Sequence, residues 1–154
     1  MNINEYQNYH ETKAHTSAEF PYNTYLCSIP LDFPGVPLHW HDELELVVIK
    51  RGQGFVSVDF DKRLVHSGDI IIIPPRCLHA IEQDDTFKME YENIIFKPDL
   101  LSSGANDLCM IQYIVPLLDG SLPIEYFLTP ALGSFEALSN CIRPVSYTHL
   151  RAHE

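Results

Sequence analysis

The sequence predicts a mainly β domain, a small sandwich or barrel of short strands followed by two helices. Three observations predict it. From Tyr25 to Phe96, short β-branched and aromatic segments recur at close spacing, separated by Gly, Pro and Asp, which is the pattern of a sandwich or barrel. Beyond Pro98 the apolar positions change to a helical period. The chain has 154 residues, 45% of them hydrophobic, with 11 prolines, which suits one turn-rich domain with its own core.

Residues 1–20 have mixed polarity and no period and are expected to form a loosely packed arm. Tyr25 to Ile29 reads as the first strand, stopped by Pro30. Glu45 to Lys50 is a strong strand, rich in Val and Ile. Arg51-Gly52-Gln53-Gly54 is expected to turn the chain. Phe55 to Phe60 then alternates, with Val56, Val58 and Phe60 on one face. Asp61-Lys62 leads into Arg63 to His66 as a hairpin partner. Ser67-Gly68-Asp69 is another turn, and the four isoleucines Ile70 to Ile73 read as a strand buried on both faces. Pro74-Pro75 ends that strand, because proline cannot donate to a ladder. His79 to Glu82 and Phe87 to Phe96 complete the set.

Asn106 to Leu118 carries apolar residues at Leu108, Ile111, Ile114, Val115 and Leu118, with Pro116 in its last turn and Gly120 just beyond, so a helix is expected to end there. Thr129-Pro130 is expected to start a second helix, cap then first-turn proline. Leu132, Phe135, Leu138 and Ile142 form its apolar stripe, which either covers the barrel or makes a dimer seam. Residues 144–154, PVSYTHLRAHE, fit nothing before them and resemble translated sequencing-adapter read-through. They are read as a non-native tail, His149 and His153 included, and the natural protein is expected to continue beyond Arg143.

The formal net charge is −11, from 21 acidic and 10 basic residues. That charge, with no basic recognition helix, makes the chain alone a poor binder of phosphate backbones. No segment approaches the ~18 apolar residues of a membrane span. The N-terminus has neither a basic start nor an apolar run, so a cytoplasmic protein without a membrane partner is expected. Cys27, Cys77, Cys109 and Cys141 contain no CxxC pair and are read as reduced core or surface residues. Cys77 stands out because it lies two residues before His79.

His39, His41, Glu45 and His79 are the candidate site: three imidazoles and a carboxylate make a ligand set for Zn, Mn, Fe or Ni. On a straight strand Glu45 would lie roughly 20 Å from His39, so the chain must bend between His41 and Glu45. Asp42-Glu43 is the place, and two antiparallel strands are expected around it. Trp40 then faces away from the two histidines and is a packing residue. Glu43 is read as a solvated turn residue, and Arg76 as an exposed turn residue.

The segment GVPLHWHDELELVVIKRGQG, from Gly35 to Gly54, resembles the first motif of the cupin superfamily, with its HxH, Glu and closing Gly52. GDIIIIPPRCLHAIEQ, from Gly68 to Gln83, resembles the second motif. Three residues separate Gly35 from His39 where the family usually has five, Arg76 stands where it has Gly, and Gln83 where it has Asn. The resemblance implies a small cupin jelly-roll barrel followed by two C-terminal helices. Residues 1–143, with the FKPDLLSS passage into helices, further resemble the N-terminal half of AraC-type transcriptional regulators.

That second resemblance implies three segments: a cupin barrel with its arm over 1–98, a helical dimerisation and linker segment over 99–143, and the tail. It implies a small-molecule effector such as a sugar, bound in a pocket of His39, His41, Glu45 and His79, and a homodimer with DNA contacted only through a missing C-terminal half. Such a domain is not an enzyme. The alternatives are a stand-alone metal-dependent cupin isomerase or dioxygenase, with those four residues holding the ion, and a non-catalytic sugar-binding module.

Overall fold

A computed structural model describes residues 1–102 and 107–152, with side chains through Pro144. A short helix α1 (Ile3–Gln7) opens the chain, its first turn capped by the Asn2 side chain. Seven strands follow: β1 (Tyr22–Ile29), β2 (Gly35–His39), β3 (Leu44–Val58), β4 (Asp61–His66), β5 (Ile70–Ile73), β6 (His79–Gln83) and β7 (Met89–Phe96). After a 3₁₀ turn at Pro98–Leu101 come a π-helical turn Met110–Ile114, α2 (Val115–Asp119), a short strand β8 (Phe127–Leu128) and α3 (Phe135–Ala152).

The strands form two antiparallel layers of a jelly-roll barrel. One has the order β1-β7-β3-β5-β8; the other runs β2-β6-β3-β4. β3 belongs to both. Its first half pairs with β5 and β7, its second half with β4 and β6. The switch is a bulge between Ile49 and Arg51, where one extra residue bends the strand and reverses its inward phase. Before it the odd residues Glu45, Val47 and Ile49 are buried, and after it the even residues Val56 and Val58. The expected turn at Arg51–Gly54 is therefore a bulge within one strand, because Gly52 has a left-handed φ of 76° while it remains paired with Met89. The turn expected at Asp61-Lys62 falls two residues earlier. Val58 pairs with Asp61 and the two loop residues Asp59 and Phe60 both have positive φ, as a type I′ hairpin requires. Phe60 leaves the inward face and is exposed.

Inside the barrel, Val47, Ile49, Val56, Val58, Ile71 and Ile81 pack with Tyr91, Met89 and Phe127. The bend at Asp42-Glu43 is present, but it carries the chain from one layer to the other. β2 pairs with β6 and not with β3, so β2 and the first half of β3, expected to be antiparallel neighbours, lie in different layers. None of residues 1–20 is buried, but the arm is fastened to the barrel at Trp40. Trp40 is buried, stacked on Tyr6 (4.7 Å between centroids) and His10 (4.2 Å). Its Nε1–H donates to the Tyr6 carbonyl, while backbone bonds join Trp40 to Tyr9 and Glu11.

The helix ahead of Gly120 ends where its left-handed C-cap predicts (φ 79°); the Asn106 start lies outside the described residues. The second helix starts at Phe135, because the segment after Thr129-Pro130 makes separate turns, Leu132 N–H to Thr129 C=O and Phe135 N–H to Leu132 C=O. Leu132 is thus not on α3. Phe135 and Ile142 are half-buried beside Val48 and Ile70 of the barrel's outer face, while Leu138 is 37% exposed. α3 runs through Pro144, and the side chains of the tail, His149 and His153 among them, lie outside the described residues.

Gly52 and Gly68 separate two costs. A Cβ at Gly52 would stand 1.9 Å from the Lys88 carbonyl oxygen, whereas one at Gly68 (φ 97°) meets nothing within 4 Å. Gly68→Ala should lose only the left-handed penalty, about 1–2 kcal/mol. Gly52→Ala adds a backbone clash and should lose clearly more, upwards of about 3 kcal/mol. Urea unfolding of both variants checks the order.

Candidate functional site

The fold brings all four candidate residues to one end of the barrel interior. His39 ends β2 and pairs in register with His79, which opens β6. His41 lies just past β2 before the bend, and Glu45 faces inward from β3. Nitrogen atoms of His39, His41 and His79 lie within 4.8 Å of one another. Glu45 meets two of the three: its Oε2 is 2.9 Å from His41 Nε2 and 3.1 Å from His79 Nε2. His41 and Glu45 are each 3% exposed and His79 1%.

Each imidazole is oriented from behind. Nδ1 of His39 donates to the Pro37 carbonyl (2.8 Å), that of His79 to the Cys77 carbonyl (2.8 Å), and that of His41 to the Glu43 carbonyl (3.2 Å). A carbonyl only accepts, so Nδ1 carries the hydrogen in all three rings and Nε2 is left for the site. Carbonyl-backed imidazoles that present one nitrogen inward are the outer support seen behind metal-ligating histidines. The 2.9 and 3.1 Å separations from Glu45 also match neighbouring donors of one coordination sphere, which lie ~3 Å apart for right-angled bonds of ~2.1 Å. The donor set fits a first-row divalent ion. Cys77 serves through its carbonyl; burial, then the charge of Asp59, pushes its thiol up to about 11, so it is no thiolate.

The ionisation pattern follows from the same contacts. Burial alone would raise the Glu45 carboxyl, but hydrogen bonds from His41 and His79, and their charge, outweigh it and hold the group well below the usual carboxylate range. Burial would lower His41, yet its hydrogen bond and charge interaction with Glu45, then Glu43, raise it. His39 makes no hydrogen bond to Glu45, and burial followed by repulsion from His79 lowers it, outweighing the Pro37 carbonyl and the charges of Glu11 and Glu45.

The arm supplies residues that the sequence did not mark. Glu11 Oε2 accepts from His15 Nε2 at 2.7 Å and lies 3.7 Å from His39 Nε2. The His15 ring stands edge-on to His41, and its Nδ1 is 3.2 Å from the Tyr25 hydroxyl. Thr16 bonds Glu43, which is half-buried and not a solvated turn residue. Arm and site together line a half-open cavity of about 200 Å³, whose lining also includes Cys27, Tyr91 and Asn93. Nothing in residues 1–20 signals this role, whereas the alternation of β7 does place Tyr91 and Asn93 on the inward face. Arg76 is exposed, as expected, with φ 62°, which explains why glycine suits that position.

Comparison with known proteins finds a match to the model of the AraC-like ligand binding domain over residues 10–139. An uncharacterised HTH-type transcriptional regulator of Bacillus subtilis, YdeC, is 32% identical over 98 residues, 63% of this chain and 34% of the relative. A second from the same organism, YbfI, is 26% identical over 72 residues, 47% of this chain and 26% of the relative. This chain therefore spans about a third or less of the curated relatives it matches. Among solved structures, a cupin protein from Bacteroides fragilis is 22% identical with a TM-score of 0.49, covering 66% of this chain and 98% of that one.

In metal-free protein, the Glu45 contacts should make stability depend on pH in two directions. A depressed carboxyl contributes stability above its unfolded value and loses it as pH falls through the folded one. A raised imidazole contributes below its unfolded value, near 6.5, and loses it as pH rises through the folded one. The Tm difference between wild type and Glu45→Gln should therefore be largest in mild acid and shrink towards both extremes. A Tm difference that stays constant from pH 4 to 9 would contradict this ionisation scheme.

Proposed function

The chain belongs to the AraC-like ligand-binding domain family, whose model spans most of it, and from that premise we propose that it senses a small-molecule effector for a DNA-binding transcriptional regulator. The observation that carries the proposal is the half-open cavity in which His39, His41, Glu45 and His79 converge beneath the arm. An occupant there touches both barrel and arm, and so biases one arrangement of the two. The curated relatives are named as transcriptional regulators, which favours sensing over catalysis. A regulator of transcription works where the genome is, hence the cytoplasm; no helix among the described residues is long and apolar enough to cross a membrane.

The same four residues would hold a divalent ion, which would supply a charged anchor for an oxygen-bearing effector. Protein purified and loaded with Ni²⁺ should carry about one ion per chain by elemental analysis. His41→Ala, which removes one donor of four, should lose it. No retained ion and no thermal shift with Zn²⁺, Mn²⁺, Fe²⁺ or Ni²⁺ would remove the metal and leave an organic-ligand pocket. In a homodimer, Leu138 on α3 and the exposed Leu108, Ile111, Tyr113 and Val115 are each open to a second copy, whereas Phe135 and Ile142 lie beside Val48 and Ile70 of their own barrel.

DNA binding should require more than this chain. Affinity for DNA grows with the phosphates neutralised, and specificity needs side chains at base edges; a net charge of −11 opposes the first. Residues 1–154 should leave promoter DNA unshifted in a mobility assay, while the longer protein from the same reading frame should bind it specifically. A stop codon directly after Arg143 in the source genome would sink the regulator reading.

A further inference from the structure

We infer that the cleft beside the histidine cavity binds the anionic end of the effector, a phosphate or carboxylate group, through Lys13, Arg76 and Lys97. This rests on the effector reading above for the ligand's role and names the chemistry of one end of it. The cleft is half-open, has a volume of about 630 Å³, and shares Glu11, Lys13 and His41 with the histidine cavity. The histidine cavity, at about 200 Å³, is below the ~300–1,000 Å³ of small-molecule sites, and the cleft is within that range. A ligand of ordinary size therefore needs the cleft.

The cations narrow the class. With 21 acidic and 10 basic residues in the chain, a cation is expected to find a carboxylate, and Lys50, Arg51, Lys62 and Arg63 each have one within 3.6 Å. Lys13, Arg76 and Lys97 have none among the described residues. They come from the arm, the loop before His79 and the end of β7, yet they line one cleft. Lys97 is half-buried. The Lys13 ammonium stands 4.8 Å from the centre of the Tyr25 ring, and Arg76 donates to the Leu118 carbonyl, which leaves most of its donors unused. The acids of the same cleft are turned elsewhere. Glu11 accepts from His15 (2.7 Å), Glu43 accepts from Thr16 (3.2 Å) and lies 3.6 Å from His41, and Asp42 is 4.0 Å from His10. Asp99 remains, exposed at the start of the 3₁₀ turn. The charge open to a ligand is thus mostly positive. Ammonium and guanidinium groups only donate, and their strongest partners are carboxylate and phosphate oxygens.

NMR titration of the intact chain with inorganic phosphate and with acetate, at an ionic strength held constant with sodium chloride, tests this. The backbone amide signals of Lys13, Arg76 and Lys97 should shift and saturate together. Phosphate should bind at least about threefold more tightly than acetate, because it carries the larger charge. That preference assigns a phosphorylated ligand; acetate binding as tightly or more so assigns a carboxylic acid, and either result keeps the anion site. Lys13→Gln, Lys97→Gln and Arg76→Gly should each weaken the anion by about three- to tenfold. Arg76→Gly removes the guanidinium while easing a φ of 62°, so its weaker binding does not come from backbone strain. Lys88→Gln, exposed and outside the cleft, should change nothing.

No saturable shift with either anion, binding unchanged in all three cleft variants, or an equal loss in Lys88→Gln overturns the proposal. The imidazole NMR signals of His39, His41 and His79 separate it from the reading it rests on. If some molecule in a broad small-molecule screen moves them while no anion binds at the cleft, the pocket stands and the anion site falls. If anions bind at the cleft and no small molecule in the screen moves the imidazoles, the anion site stands and the effector pocket falls.

Discussion

A carboxylate in an apolar barrel is the constraint around which this domain is arranged. Glu45 lies on β3 in the same inward phase as Val47 and Ile49 and is 3% exposed. An unpaired charge there would cost several kcal/mol. The two imidazoles that meet it come from separate parts of the chain, one before β3 and one opening β6. Each is fixed by a backbone carbonyl close to it in sequence. Pairing with the two imidazoles outweighs that cost for the carboxylate. What it specifies is the relative placement of β2, β3 and β6, since a slip of one residue in any of them would face its site residue outward.

β3 makes that placement consistent with the rest of the barrel. A strand confined to one layer would present Glu45 in one phase and leave Val56 and Val58 facing solvent. The extra residue at the bulge changes the phase midway, so both halves bury their apolar residues while the strand crosses between layers. Gly52 allows this because its α-carbon approaches the Lys88 carbonyl too closely for any side chain. The site at one end of β3 and the hairpin at the other are therefore linked through one backbone irregularity.

How far the sequence anticipates this depends on how local the signal is. Ile70 to Ile73, His79 onwards and the C-cap at Gly120 are local, and the structure places them within a residue or two. The bend at Asp42-Glu43 followed from distance alone, because no ion or hydrogen bond reaches across a straight His41-to-Glu45 segment. The bulge was not legible: Arg51-Gly52-Gln53-Gly54 has the composition of a turn, and only pairing with β7 shows that the ladder continues. The arm was less legible still. Its order comes from Trp40, a residue of the barrel, which stacks Tyr6 and His10 from about thirty positions upstream. Neither segment alone carries a period that reveals the contact. Glu11 and His15 reach the site as a consequence of that stacking. The seam residues behaved similarly: a helical stripe shows that a face will be covered, and only the fold shows that Phe135 and Ile142 turn to the barrel's outer face.

The loop before His79 shows how a change at the site would leave it. Arg76 donates its backbone N–H to the His41 carbonyl (2.7 Å), and its own carbonyl accepts from the Tyr6 hydroxyl (2.6 Å). Its guanidinium reaches the Leu118 carbonyl at the end of α2 (3.3 Å), where a cation is favoured by the unpaired carbonyls of the last turn. One residue thus touches a site residue, the arm and the helical segment. The two backbone-anchored contacts are short, and the one to α2 is long and solvent-facing, so the joint is stiff toward the barrel and the arm and soft toward the helix. A shift of His41 on ligand binding would be passed first to Tyr6, and through the Tyr6–Trp40 stack to the rest of the arm. The helical segment would feel it more weakly, through a single side chain. Coupling between pocket and arm is therefore expected to exceed coupling between pocket and α2.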